Sequence, residues 1–194
     1  YGNPDLKPEK GDEVEIGFDA GMFGERVGID FTWYNKKTSD MLQSVALAPS
    51  LGFPGSRLTN LGEVINRGVE LSITGTPVQT ARISWDARFI YSSNYNELVS
   101  FGIPNTRSQT PTGQAYGAVQ QHRPGYPLGG YWAPNPRRNP DGSPVTNAAG
   151  AVQFDTAQYL GQPVPAHEFG FSNTVTLFRY FRLYALLDWK TGGQ

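Results

Sequence analysis

From Val27 onward, the stretch GERVGIDFTWYNKKTSD (residues 24–40) alternates without a break. Val27, Ile29, Phe31 and Trp33 point one way, and Gly28, Asp30, Thr32 and Tyr34 the other. Period-two alternation is the signature of a strand with one apolar and one polar face. Such a strand excludes a helical bundle and poses one question, whether the apolar face lies on a protein core or on lipid.

The pattern recurs along the chain. In EVEIGFDAG, Val14, Ile16, Phe18 and Ala20 oppose Glu13, Glu15, Gly17 and Asp19, and a tight connection over 22–25 joins this strand to the first in a hairpin. In NRGVELSITGTP, Val69, Leu71 and Ile73 oppose Glu70, Ser72 and Thr74. After the short TPVQTAR turn, Ile83, Trp85, Ala87, Phe89 and Tyr91 share a face opposite Ser84, Asp86, Arg88, Ile90 and Ser92. A third hairpin bends at Arg179 and Tyr180, with Phe169, Phe171, Val175 and Leu177 on one strand and Leu183, Ala185, Leu187 and Trp189 on the other. About six strands in three hairpins are predicted.

The connections differ in kind. Residues 35 to about 65 and 95 to about 168 read as long polar loops rich in Gly, Pro and Asn, longer than a compact soluble domain usually holds. Short and long connections alternate, so an up-and-down sheet collects short turns at one end and long loops at the other, as outer-membrane barrels do. Phe23, Trp85, Phe178, Tyr180 and Phe181 gather near the short turns; Trp33, Tyr34, Tyr91 and Trp189 lie near the long loops. Two aromatic zones flanking aliphatic residues resemble interfacial girdles. The opposite face, with Glu13, Glu15, Asp19, Asp30, Glu70, Asp86, Arg88, Arg182 and Asp188, suits a wet lumen or the solvated outside of a sandwich.

Composition agrees. Hydrophobic residues at 38% and charged residues at 17% are both low for a soluble domain, while 23 glycines and 15 prolines suit strands and irregular loops. No apolar run approaches the roughly 18 residues of a spanning helix, and the opening YGNPDLKPEK has no signal-peptide core. A net charge of −1 without a basic run gives no footprint for nucleic acid. The absence of cysteine removes disulfides and thiolate chemistry.

Little else in the sequence suggests chemistry. His122 and His167 stand far apart without carboxylates at ligand spacing, so no metal is assigned. NPDGSPVTN (139–147) lacks the alternating acids and closing Glu of a calcium loop and reads as a turn. Neither G-x-S-x-G, a phosphate-cradling Gly loop nor H-E-x-x-H occurs, so no catalytic residue, no cofactor and no enzyme activity is predicted. Asp86 and Arg88 share a face and are expected to be able to pair. Tyr126, Tyr131 and Trp132, in RPGYPLGGYWAPNP, are the candidate ligand contacts, because aromatic faces stack on sugar rings. The competing reading packs them into their own loop.

The motifs GNPDLKPE (2–9), DFTWYNKKTSDML (30–42), NLGEVINRGVELSI (60–73), GYPLGGYW (125–132) and FGFSNTVTLFRYFRLYALLDWKTGG (169–193) resemble the barrel region of TonB-dependent outer-membrane receptors, and within them the SusC/RagA-like transporters of Bacteroidota. The resemblance spans nearly the whole chain. It implies an all-β, antiparallel up-and-down meander of about six strands within a large transmembrane barrel of about 22, with residues 1–194 a partial barrel domain, truncated at both ends and lacking the plug. Six strands with two open edges cannot close a barrel and should not transport by themselves. The implied whole imports oligosaccharides or similar nutrients across the outer membrane of a Gram-negative cell. Its implied partners are outer-membrane lipid, the TonB complex acting through the plug, a SusD-like surface lipoprotein, and glycan or peptide cargo. A soluble carbohydrate-binding sandwich and a passive porin or adhesin barrel are the alternatives.

If Val27, Ile29, Phe31 and Trp33 face lipid, Phe31→Arg in the intact barrel costs about 2–4 kcal/mol of folding free energy. Denaturant titration of folding into bilayers reads this; an unchanged midpoint contradicts the facing.

Overall fold

A computed structural model describes residues 3–46, 56–102 and 119–194. Among them the chain is all-β. The principal sheet has the order β1-β2-β3-β4-β8-β9, in which strands adjacent in the sheet are antiparallel. Its strands are β1 (Lys10–Met22), β2 (Val27–Ala46), β3 (Ser56–Gln79), β4 (Ile83–Ser100), β8 (His167–Leu177) and β9 (Phe181–Thr191). The short strands β5 (Gln120–Gln121), β6 (Gly130–Ala133) and β7 (Gln158–Gly161) make a second sheet within the long connection between β4 and β8.

Register decides sidedness, because a one-residue slip would move a whole strand's side chains to the other face. Across the sheet Phe18 stands opposite Phe31, Phe31 opposite Leu71, Leu71 opposite Tyr91, Tyr91 opposite Phe169, and Phe169 opposite Trp189. The next row toward the short turns runs Ala20, Ile29, Ile73, Phe89, Phe171 and Leu187. All six apolar faces therefore merge into one surface. Ring contacts follow the first row: Phe18–Phe31 at 5.6 Å, Tyr91–Phe169 at 4.9 Å, and Phe169 stacked on Trp189 at 4.3 Å. Among the described residues no second sheet covers this surface, and Ile16 and Leu187 are 63% and 69% exposed. The cover that a sandwich requires is missing among them.

The turns are short where expected, at residues 23–26, 80–82 and 178–180. Thr80 closes the second: its N–H donates to Ile83 O at 2.7 Å and its Oγ1 accepts the Ile83 N–H at 2.9 Å. Phe178 and Arg179 both have positive φ (51° and 66°), as a type I′ hairpin turn demands. Side chains with a Cβ adopt that region at a cost of about 1–2 kcal/mol each, which the flanking ladder offsets. TPVQTAR is shorter as a turn than expected. β3 runs on through Gln79, and a bulge at Pro77, where a missing N–H breaks no ladder bond, brings Val78 opposite Trp85.

The largest departure is at the other end. Residues 35–46 and 56–65 belong to strands, not to a loop; only 47–55 separate β2 from β3, and these lie outside the described residues. β2, β3 and β4 are 20, 24 and 18 residues long, whereas β8 and β9 have 11 each. About 9–11 tilted residues cross a bilayer, so β8 and β9 fit its thickness while the other three rise well beyond it. Residues 95–100 likewise continue β4, and 103–118 lie outside the described residues.

The buried core sits on this raised part: Val64, Leu98 and Phe101, with Met41 and Leu128 packed against them. Val64 and Leu98 lie on the polar-face side of the register. An extra residue in β4 between Leu98 and Ser100 then reverses its alternation and carries Phe101 to the same side. Gly62 (φ +71°) permits this approach, since a Cβ there would fall on the Ser100 carbonyl oxygen. Gly68 does the same for Tyr34, which faces the polar side and reaches across to donate its hydroxyl to Asn94 Oδ1 at 3.1 Å. A Cβ at Gly68 would collide with Ser93 O and lie 2.6 Å from the Tyr34 hydroxyl oxygen.

Gly68→Ala is accordingly expected to destabilise the intact barrel by about 1–3 kcal/mol, read by denaturant titration. Gly170→Ala, on β8 where a Cβ would meet only Ile90 Cβ at 3.8 Å, should cost less. Equal effects would remove the claim that Gly68 serves the Tyr34 contact.

Candidate functional site

The polar face carries two regions of interest. Near the short turns it is acidic. Asp19 stands directly opposite Asp30, and a cleft of about 530 Å3 is lined by these two with Gly21, Gly28, Ser72 and Arg88. Asp86 and Arg88, expected as a pair, take other partners. Asp86 accepts the hydroxyls of Thr76 at 2.8 Å and Ser84 at 3.2 Å, while Arg88 Nε donates to Ser72 Oγ at 3.3 Å. Lys36 and Glu13, cross-strand neighbours, pair at 3.1 Å, as do Lys190 and Glu168 at 3.0 Å. Such exposed pairs contribute about 0–1 kcal/mol each.

Near the long connections the face is roofed. β8 begins at His167, which leaves the edge of β4 unpaired above Ser93. The long connection fills it: the Asn94 N–H donates to Ala166 O, the Leu98 N–H to Tyr126 O and the Gly125 N–H to Leu98 O. Pairing an exposed edge in this way satisfies its backbone and blocks association there. Leu128 then turns inward, and its N–H donates to Asn96 Oδ1 at 2.9 Å.

Of the three contacts predicted from the sequence, Tyr126 and Trp132 come together and Tyr131 does not join them. Trp132 is 6% exposed, sandwiched by Tyr126 (4.7 Å, edge-on), Tyr159 (5.4 Å) and the Arg123 guanidinium, 3.8 Å from the ring centroid. Tyr131 alternates to the other side of β6, and no ring contact joins it to this cluster among the described residues. Tyr159 completes the cluster, and burial raises its phenol pKa. A lone tyrosine far along the chain carries no signal that would have found it.

His122 is half-buried, its Nδ1 accepting the Gly129 N–H at 2.9 Å. His167 opens β8 rather than lying in a loop, and its Nδ1 is 3.0 Å from the Tyr91 hydroxyl on the apolar face. The NPDGSPVTN segment is a turn, as expected: Asp141 Oδ1 accepts the N–H and hydroxyl of Ser143, bonds that hold its carboxyl below the usual range. Around it the chain closes a ring of backbone bonds, Arg137 N–H to Gln153 O, Gln153 N–H to Val145 O and Val145 N–H to Arg137 O. No cluster of three His, Asp or Glu able to hold a metal occurs among the described residues.

Burial lowers the His122 pKa from its ordinary 6.5, and the Gly129 N–H needs an unprotonated Nδ1. Above pH about 6.5 the ring is neutral whether the segment is folded or not, and stability is full. Below it the unfolded segment takes up a proton that folded His122 resists, so stability falls until the folded pKa is passed. Limited proteolysis of residues 119–133 should be faster at pH 5.5 than at pH 7.5, and His122→Asn, which keeps an acceptor but does not titrate, should abolish the difference. A pH dependence that survives His122→Asn contradicts this.

A family model described as TonB dependent receptor-like, beta-barrel, matches residues 1–190. The chain is 29% identical to TonB-dependent receptor P26 of Formosa agariphila over 193 residues, covering 90% of this chain and 19% of that protein. It is 27% identical to TonB-dependent receptor SusC of Bacteroides thetaiotaomicron over 151 residues, covering 75% and 15%. The chain thus spans about a fifth of these relatives' length or less. The RagAB peptide importer in its closed-closed state superposes with a TM-score of 0.81 over 99% of this chain and 22% of that one, at 23% identity, a likeness of fold. With the register, the uncovered apolar face and the match over 1–190 in agreement, the chain belongs to the TonB-dependent receptor β-barrel family and is similar to its SusC/RagA-like members.

Proposed function

We propose that this chain forms part of the wall of an outer-membrane transporter that imports an oligosaccharide or a similar oligomeric nutrient such as a peptide. Its apolar surface faces lipid and its polar surface faces the lumen through which cargo passes. The observation that carries this reading is the sidedness shared by all six strands of the principal sheet: between the aromatic zones one face is apolar except for Asn173, whose Oδ1 accepts the Trp85 indole N–H at 3.0 Å, and the other face carries the charged side chains. From Phe181 to Trp189 the apolar face of β9 runs about 27 Å along the strand, which a tilt of about 35–45° reduces to roughly 19–22 Å, within the roughly 25 Å apolar band of a barrel. The family membership supports energised uptake through TonB. The likeness to SusC and to RagAB supports a SusD-type lipoprotein as surface partner. The reading involves no covalent chemistry; cargo moves by differential binding and gating. Tyr126, Tyr131 and Trp132 shape the lumen mouth, with Trp132 holding the roof in place and Tyr126 and Tyr131 partly exposed.

The experiment is uptake of labelled maltohexaose and labelled hexa-alanine by cells carrying the full-length protein, with and without functional TonB. Saturable uptake of one of these that vanishes without TonB is expected. Uptake indifferent to TonB would favour the passive barrel, and recovery of the protein in a soluble fraction would overturn the membrane reading.

A further inference from the structure

Where the roof meets the wall there is a cleft of about 250 Å3, lined by Asn66, Asn94 and Asn96 on one side and by Pro127, Leu128, Gln162, Pro163, Val164 and Pro165 on the other. Its carboxamides are held in fixed orientations. Asn96 donates from Nδ2 to Asn66 Oδ1 at 2.7 Å and accepts the Leu128 N–H on its Oδ1. Asn94 Oδ1 accepts the Tyr34 hydroxyl. The bonds from Asn96 and Tyr34 thus occupy the side-chain oxygens of Asn66 and Asn94, which leaves the Nδ2 amide of each as the group able to donate to a ligand.

The spacing of those two donors is set by the ladder. Asn66 stands opposite Asn96 and Asn94 opposite Gly68, so Asn66 and Asn94 are diagonal neighbours on one face. Diagonal neighbours lie about 7–8 Å apart. In an extended chain the carbonyls of residues i and i+2 point the same way and lie about 6.6–6.8 Å apart. The opposite wall, Gln162 aside, is apolar, with three prolines that lose little entropy when a ligand side chain packs on them. Among the described residues no aromatic ring lines the cleft, and the indole of the neighbouring roof is buried, so the stacking that a pyranose ring prefers is not offered there.

We propose that this cleft is a cargo subsite for an extended oligopeptide, with Asn66 and Asn94 donating to alternate backbone carbonyls and Leu128, Pro163 and Val164 receiving the side chains between them. The inference rests on the polar face being the lumen and names the cargo class within that reading. Asn66→Asp and Asn94→Asp in the full-length protein keep the oxygens that Asn96 and Tyr34 need and replace the Nδ2 donors by acceptors. Calorimetric titration with hexa-alanine should show binding to the wild type, weakened about tenfold or more by each substitution, with no saturable maltohexaose binding that responds to either. Hexa-alanine carrying a photoreactive group should crosslink in the wild type, where folding of a variant is not in question, to tryptic peptides containing residues 94–96 or 127–128 or 162–165. Unchanged hexa-alanine affinity in both variants, crosslinks confined to other segments, or maltohexaose binding that depends on Asn66 and Asn94 would each overturn the proposal. TonB-dependent uptake persisting alongside any of these would leave the transport reading standing, whereas TonB-independent uptake would count against that reading alone.

Discussion

Strand register is the constraint on which the rest of this structure depends. Each strand of the principal sheet has a two-faced side-chain pattern, but the pattern becomes a surface only because the hydrogen-bond ladder sets Phe31 against Leu71, Leu71 against Tyr91 and Tyr91 against Phe169. A slip of one residue anywhere would put charge such as Asp30 or Glu70 on the apolar side. In lipid the same ladder has a second duty, since every backbone group in the hydrocarbon must find a partner within the protein. Sidedness and backbone satisfaction are thus secured by one set of bonds.

The alternation from Val27 to Tyr34 showed correctly which side chains of β2 share a face, because over that stretch one face is apolar and the other polar. Beyond Trp33 that contrast ends. Asn35, Lys37 and Ser39 share the apolar-face parity of Trp33, yet they are polar, as the proposed lipid facing requires of a strand that continues beyond a bilayer. With both faces in water the period-two signal disappears, and Asn35 to Ala46 reads as a loop although it is strand. The residues of the small sheet were illegible for another reason: two- and four-residue strands are too short to carry periodicity. Tyr126 and Trp132 were visible as a pair of aromatics in a Gly- and Pro-rich segment, but their burial depends on Arg123 and on Tyr159, which lies nearly thirty residues further on. The Asn66–Asn94–Asn96 cleft had no signal at all, since isolated asparagines acquire a common face only through the β3–β4 register.

The raised wall and its roof are built by local exceptions to the regular ladder. The extra residue near Val99 reverses the alternation of β4, Gly62 lets two backbones approach, and residues 125–126 take the place beside β4 that a longer β8 would occupy. Together they bring Val64, Leu98 and Phe101 into a small core inside the mouth of the sheet. That core fixes Leu128, Leu128 fixes Asn96, and Asn96 orients Asn66. The chain of contacts links packing at the raised end of the sheet to the polar groups presented on its polar face.

The measurement that tests the lipid-and-lumen assignment most directly is a spin-label scan of residues 29–33 in the full-length protein in bilayers, one cysteine at a time. This chain contributes no cysteine of its own. Labels at Ile29, Phe31 and Trp33 should collide mainly with lipid-dissolved oxygen, and labels at Asp30 and Thr32 mainly with a water-soluble nickel chelate. The same accessibility at odd and even positions, or the reverse alternation, would contradict the assignment.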